Sequence, residues 1–232
     1  RENTGPFLFS IMMIFWMENK MGRTQLSPQR LSETKKLNIG RIIIFCEGKT
    51  EKYYFDYFAE ILKKNKYTDV EVVLETANGN ARTVLNFANA FMADDRNNRK
   101  YSTYGKYLAF DCDAPPDIQS VISAASEYEL LISNHLFETW LLMHFEDVNE
   151  KISKREIYRR LSSHLHDAYS KGHKGKTREI IQNGDVEKAM DNAGILEEKY
   201  KAEGKSMFTN IKDMNPFTSV HRLIEQFMVE IS

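Results

Sequence analysis

The stretch "RIIIFCEGKTEKYYFDYFAEILKK", residues 41–64, decides the fold. Its first six residues form a short, continuous, β-branched apolar run, as expected for a strand covered on both faces of a parallel sheet. Glu47-Gly48 follows. From Thr50 on, Tyr54, Phe55, Phe58, Ile61 and Leu62 recur at helical spacing. Thr50 is the expected N-cap, with Glu51 near the positive end of the helix dipole.

The same alternation continues along the chain. "DVEVVLET", residues 69–76, reads as a second strand. "NGN", residues 78–80, reads as a turn, with Asn80 capping a helix that carries Val84, Leu85, Phe87, Ala88 and Phe91. "GKYLAFD", residues 105–111, is a third strand, and a helix is expected from about 118 to 127. "YELLIS", residues 128–133, is a fourth strand, and "LFETWLLMHF", residues 136–145, an apolar helix capped by Ser133 or Asn134. Four alternations predict an α/β fold: a mainly parallel four-stranded sheet flanked by helices. Beyond about residue 150 the strands stop, and helices are expected near 153–168, 184–203 and 217–230. The expected organisation is an N-terminal extension over 1–40, an α/β domain over 41–148 and a helical region over 149–232.

The 232 residues are enough to bury a real core. A formal net charge of −1 gives no whole-molecule attraction for nucleic acid, so any such partner needs clustered basic residues. Cys46 and Cys112 lack a CxxC spacing, which argues against a disulfide scaffold or zinc site and fits a reducing cytoplasm. "FLFSIMMIFWM", residues 7–17, is shorter than the roughly 20 residues needed to cross a bilayer. No small-residue cleavage pattern follows it, so no signal peptide is expected. Residues 1–20 read as upstream or non-native sequence, with Met17 and Met21 as candidate starts; an amphipathic membrane anchor is the alternative.

Ligands of open parallel sheets bind outside the carboxyl ends of the strands. There the sequence places Glu47 and Glu51 after the first strand, Asp111 and Asp113 after the third, and Glu138 after the fourth. Residues two apart on a strand share a face, so Asp111 and Asp113 can aim at one point while Cys112 points away. Pro115 and Pro116 then stop the strand. Gathered carboxylates repel unless a cation is present, and hard oxygen ligands suit Mg²⁺ or Mn²⁺. Magnesium held this way, with waters left over, serves chemistry on phosphates. Taken singly, an Asp-x-Asp or a Glu-Gly is more often a turn or a cap; their placement on one sheet edge carries the reading.

A strand ending in Glu-Gly and a later strand ending in Asp-x-Asp resembles the Toprim domain of topoisomerases, primases and OLD-type nucleases. "FCEGKTEKYYF" (45–55), "FDCD" (110–113), "SNHLFETWLLMHF" (133–145), "YSKG" (169–172) and "NPFTSV" (215–220) together resemble the RloB family, a Toprim-containing family of bacterial defence and abortive-infection loci. The chain departs from that family at His135-Leu136, where Pro-Cys is usual. The resemblance implies a Toprim-like, Rossmann-like domain and a metal-dependent nuclease cutting RNA or DNA, RNA slightly ahead, in phage defence. It implies Glu47, Asp111 and Asp113 as metal-holding and proton-handling acids, Glu51 as the acid four residues on, and Glu138 as a further carboxylate, with one or two Mg²⁺ or Mn²⁺ ions. Lys171 resembles a basic residue that steadies transition-state charge. A non-catalytic nucleic-acid-binding module, or an effector held silent by an RloA-like ATPase partner, is the alternative.

Several of these residues have plainer readings. Glu138 in the first turn of a helix also complements its dipole. His144 reads as a core histidine bonded to a carbonyl, and both cysteines as buried fillers. Trp140, Leu141 and the first helix's aromatic stripe read as core. Residues 151–178 hold Lys151, Lys154, Arg155, Arg159, Arg160, Lys171, Lys174, Lys176 and Arg178 against only Glu156 and Asp167, a local +7. With Tyr158, Tyr169 and three histidines among them, this segment is the candidate nucleic-acid contact; a solvated helical face with a flexible loop is the alternative.

Overall fold

The computed structural model describes residues 39–64, 68–75, 79–112 and 117–232, all in one compact unit, Leu37–Ser232. The expected extension over 1–40 falls outside the described residues except at Ile39 and Gly40. Asp113, Pro115 and Pro116 also lie outside them.

The chain runs β1 (Arg41–Cys46), α1 (Lys49–Leu62), β2 (Asp69–Leu74), α2 (Ala81–Ala93), α3 (Asp95–Tyr101), β3 (Gly105–Asp111), α4 (Ile118–Ala124), β4 (Glu129–Asn134) and α5 (Phe137–Met143). It continues through α6 (Lys154–Ser163), α7 (Lys174–Asn183), α8 (Val186–Ala202), α9 (Met207–Asn210), a 3₁₀ turn (Ile211–Asp213), β5 (Phe217–Thr218) and α10 (His221–Ile231). The sheet order is β2-β1-β3-β4-β5. The first four strands are parallel, with Ile44 opposite both Val72 and Tyr107, and Asp111 opposite Ser133. β5 pairs antiparallel with β4. The direction of winding reverses between β1 and β3, a switch point that leaves a crevice at their carboxyl ends.

β1 is covered on both sides, as its unbroken apolar run predicts. Ile42, Ile44 and Cys46 enter a core with α1, α5, α6, α7, α8 and α10. Ile43 and Phe45 enter a second core with Leu108 and Phe110 of β3 and with α2 and α4. Each such side chain contributes about 1.5–3 kcal/mol on burial. α6, α7, α8 and α10 thus pack on the same sheet face as α1, the face toward which Asp111 points with Ala109, while Met207 of α9 and Ile211 join the second core.

The fifth strand departs from the expected four. Two residues carry no periodicity, and Phe217 and Thr218 sit in a segment that otherwise reads as the start of a helix; that helix begins at His221. α3 (DRNNRKY) has no apolar stripe to find. α7 lies where a flexible loop is the alternative reading: His173 Nδ1 accepts from the Lys176 N–H, and Thr177, Ile180 and Ile181 are buried. The helices expected at 118–127 and 153–168 end sooner, at Ala124 and Ser163. Asn80 caps α2 as expected, with a reciprocal capping box to Thr83. Thr50 does not cap α1. The helix starts one residue earlier, behind Gly48, and the buried Thr50 hydroxyl accepts from the Gly172 N–H at 2.8 Å. Neither Ser133 nor Asn134 caps α5. Ser133 Oγ meets Thr218 Oγ1, and Asn134 donates to the Ile211 carbonyl.

Candidate active site

The cap of α5 comes from another element. Asp111, the last residue of β3, accepts the Phe137 N–H at Oδ1 (2.6 Å). Its Oδ2 accepts from Lys171 Nζ at 3.0 Å. Asp111 is 1% exposed, and so is Glu51 in the first turn of α1; Glu138 in the first turn of α5 is fully buried. Three carboxylates from α1, β3 and α5 therefore meet out of water, with Lys171 as the cation placed against them. The lysine also lies 3.9 Å from Glu138 Oε2.

Lys171 is held in place by its neighbours in sequence. Tyr169, packed edge-on against Tyr158, donates its hydroxyl to Glu138 Oε1 at 2.7 Å. Gly172, at φ +71°, turns the chain so that its N–H reaches Thr50. A side chain at Gly172 is strained by that dihedral. The "YSKG" segment thus ties the loop before α7 to α1 and α5. Tyr169 is a buried hydrogen-bond donor and does not offer a stacking surface.

The charges do not balance. Burial pushes the Glu51 carboxyl well up, and Asp111 adds to it, with Lys171 opposing. Burial likewise raises Asp111 to about 6, against the pull of Lys171. Burial works against the charge on Lys171, but Asp111, Glu138 and Glu51 together outweigh it and raise that group. Both oxygens of Glu51 and Oε2 of Glu138 are buried without a hydrogen-bond partner among the described residues. Gly48 makes room for this: a Cβ there would lie 2.5 Å from Glu51 Oε2. Unpaired buried carboxylate oxygens are costly, and an oxygen-only donor set is what a hard divalent cation takes. The residues fit such an ion chemically. Among the described residues they are not closed around one point as a set of three or more, Lys171 engaging Asp111 instead.

Glu47 stands beside this cluster, half-buried, with Oε2 accepting the Asp111 N–H at 3.2 Å. It lines a cavity of about 320 Å³ with Lys49, Glu75, Lys171 and Gly172. The structure brings Glu47, Glu51, Asp111, Glu138 and Lys171 together; Asp113 lies outside the described residues. Glu75 is an acid not singled out from the sequence. It follows β2 directly, and the strand-end rule that finds the other acids would find it too.

His144 sits in the core as expected. Its Nδ1 lies 3.0 Å from the Trp140 carbonyl, which can only accept, so Nε2 accepts from the Tyr54 hydroxyl. Both cysteines are buried. Of the basic segment, Arg159 pairs with Glu156, Arg160 grips Glu146 with two hydrogen bonds, and Lys176 lies between Asp167 and Glu179. Arg155, Lys174 and Arg178 are exposed. Arg178 lies over the Tyr57 ring and Lys154 over Tyr158.

A mostly parallel, Rossmann-like sheet with buried acids at its switch point defines an α/β protein whose crevice lies at the carboxyl ends of its strands. The chain belongs to the RloB-like protein family, whose model matches residues 42–227. No curated protein and no solved structure matches it. Among the described residues no helix is long and apolar enough to cross a membrane.

Proposed function

We propose that the protein is a metal-dependent nuclease of the Toprim type that hydrolyses phosphodiester bonds of RNA or DNA in phage defence. One observation carries the reading: Glu51, Asp111 and Glu138 are buried together, and both oxygens of Glu51 and Oε2 of Glu138 find no hydrogen-bond donor among the described residues. Glu51, Asp111 and Glu138, with Glu47 beside them and Asp113 from the sequence motif, are the residues that would hold Mg²⁺ or Mn²⁺. Such an ion, when bound, polarises a phosphate and lowers the pKa of a water.

The chain's own groups supply the rest. Glu47 borders the open cavity, where it can take or return a proton. Lys171 reaches the same cavity and is held positive, so it can offset the charge that builds on the phosphoryl oxygens. Asp111 stays fixed by the Phe137 N–H whether or not Lys171 remains on it.

The test is a substrate panel of DNA, total RNA and transfer RNA, each with Mg²⁺, with Mn²⁺ and with EDTA. Cleavage that needs the metal and disappears in Asp111→Asn and Glu51→Gln supports the proposal. Cleavage that survives both substitutions overturns it. Metal-dependent binding without cleavage favours the non-catalytic module instead.

A further inference from the structure

A second cavity, about 580 Å³, opens at the carboxyl ends of β3 and β4, on the other side of Asp111 from the first. Cys112, Asn134 and His135 form its floor, the residues that directly follow Asp111 and precede α5. Its walls carry Lys151 from the loop before α6, Lys154 from the first residue of α6 and Lys212 from the 3₁₀ turn. Three cations from two separate segments face one space, opposed there only by Asp213 among its described lining residues.

The pairing pattern separates Lys151 and Lys154 from much of the basic segment. Arg159, Arg160, Lys171 and Lys176 already engage carboxylates of this chain. Lys151 and Lys154 have no carboxylate within ion-pair distance among the described residues, and both are exposed. Their charge is available to a ligand. The cavity is wide and open, and the three lysines that border it suit a hydrated phosphodiester better than an uncharged small molecule.

We infer that this cavity is the subsite for the phosphates flanking the scissile one. The strand then crosses the carboxyl edge of the sheet, from Lys151, Lys154 and Lys212 past Asp111 to Lys171. The inference rests on the reading of the acid cluster as a phosphodiesterase site, but it makes a claim about binding that needs neither metal nor turnover. It also moves the main backbone contact from the outer faces of α6 and α7 to the sheet edge.

The experiment is fluorescence anisotropy in EDTA with labelled single-stranded RNA, single-stranded DNA and a short duplex, over a salt series. Each phosphate that a lysine no longer neutralises lowers the slope of log affinity against log salt by about 0.7–0.9. Lys151→Gln, Lys154→Gln and Lys212→Gln should each lower the slope by about one, and the triple variant by about two to three. Arg159→Gln with Lys176→Gln should leave it unchanged. An unchanged slope in the triple variant, an equal drop in the control pair, or no binding by the unaltered protein overturns the inference. So does a 5′-mononucleotide that competes as well as an oligonucleotide, since the cavity would then hold a free nucleotide. Binding with the expected slopes but no cleavage under any metal would sink the nuclease proposal and leave this one standing.

Discussion

Glu51 is the residue most at odds with its surroundings. Among the described residues neither buried oxygen of its carboxyl has a hydrogen-bond partner, and Asp111 and Glu138 lie near it, an arrangement that costs stability. Replacing the acid with a neutral isostere removes its repulsion with Asp111 and Glu138, so Glu51→Gln should raise stability in EDTA by about 1 kcal/mol while abolishing cleavage. Thermal melts of both proteins in EDTA check this; a less stable variant would mean the acid is structural. His144 is the opposite case, since each ring nitrogen has a partner. Burial pushes its pKa down from 6.5 to about 4. The unfolded chain therefore takes up the proton first. Stability from this group is full above about pH 6.5 and declines as the pH falls to about 4, by about 3 kcal/mol. Denaturant melts across that range should show the decline, and His144→Gln should flatten it.

At the level of elements, α8 and α10 are held to each other by an acidic clamp as well as by apolar contact. Glu197 of α8 takes two hydrogen bonds from Arg222 and lies 3.1 Å from His221 Nε2 and from Lys201 Nζ. Burial alone would raise its carboxyl, but Arg222, Lys201 and His221 outweigh burial and hold it at about 2. Its folded pKa is below the usual 4.5, so its contribution is full above that value and is lost as the pH falls toward 2. Glu197→Gln should cost about 2 kcal/mol at pH 7 and make α8 and α10 exchange their amides faster than α2. Equal exchange in the two proteins would show the clamp to be redundant. The order in which sequence reveals these elements follows from how each is stabilised. β1, β3, β4 and α1 state their own periodicity. β5, with two residues, exists because Ser133 and Asn134 of β4 offer it partners, and α7 because Ile180 and Ile181 meet a core built elsewhere. Site positions are legible for the same reason as the strands: Glu47, Asp111 and Glu138 stand at places the strand-end rule identifies. The role of Tyr169 in fixing Glu138, and the neutralising of Arg160 by Glu146, depend on contacts between separate segments that no local pattern encodes.

For the molecule as a whole, the acid cluster is also a joint. Glu51 belongs to α1, Asp111 to β3, Glu138 to α5 and Lys171 to the loop that leads into α7, so the site is complete only when the sheet and the C-terminal helices are docked. A cation bound there therefore binds the folded state and not the unfolded chain. Such a ligand stabilises by RT ln(1 + [L]/Kd), about 2.7 kcal/mol at a hundredfold excess over Kd. For a chain of this size that is a rise in Tm of roughly 5–10 °C. Mn²⁺ or Mg²⁺ should produce this rise in the unaltered protein, as a single transition, because the residues that would hold the ion come from both parts of the chain. Glu138→Gln and Asp111→Asn should lose it, and Arg159→Gln should keep it, since Arg159 pairs with Glu156 on the outer face of α6. Calorimetric scans over a metal series are sufficient. A Tm that does not move up to millimolar metal would leave Lys171 as the cation this cluster was built around, and would take the metal out of the proposed chemistry.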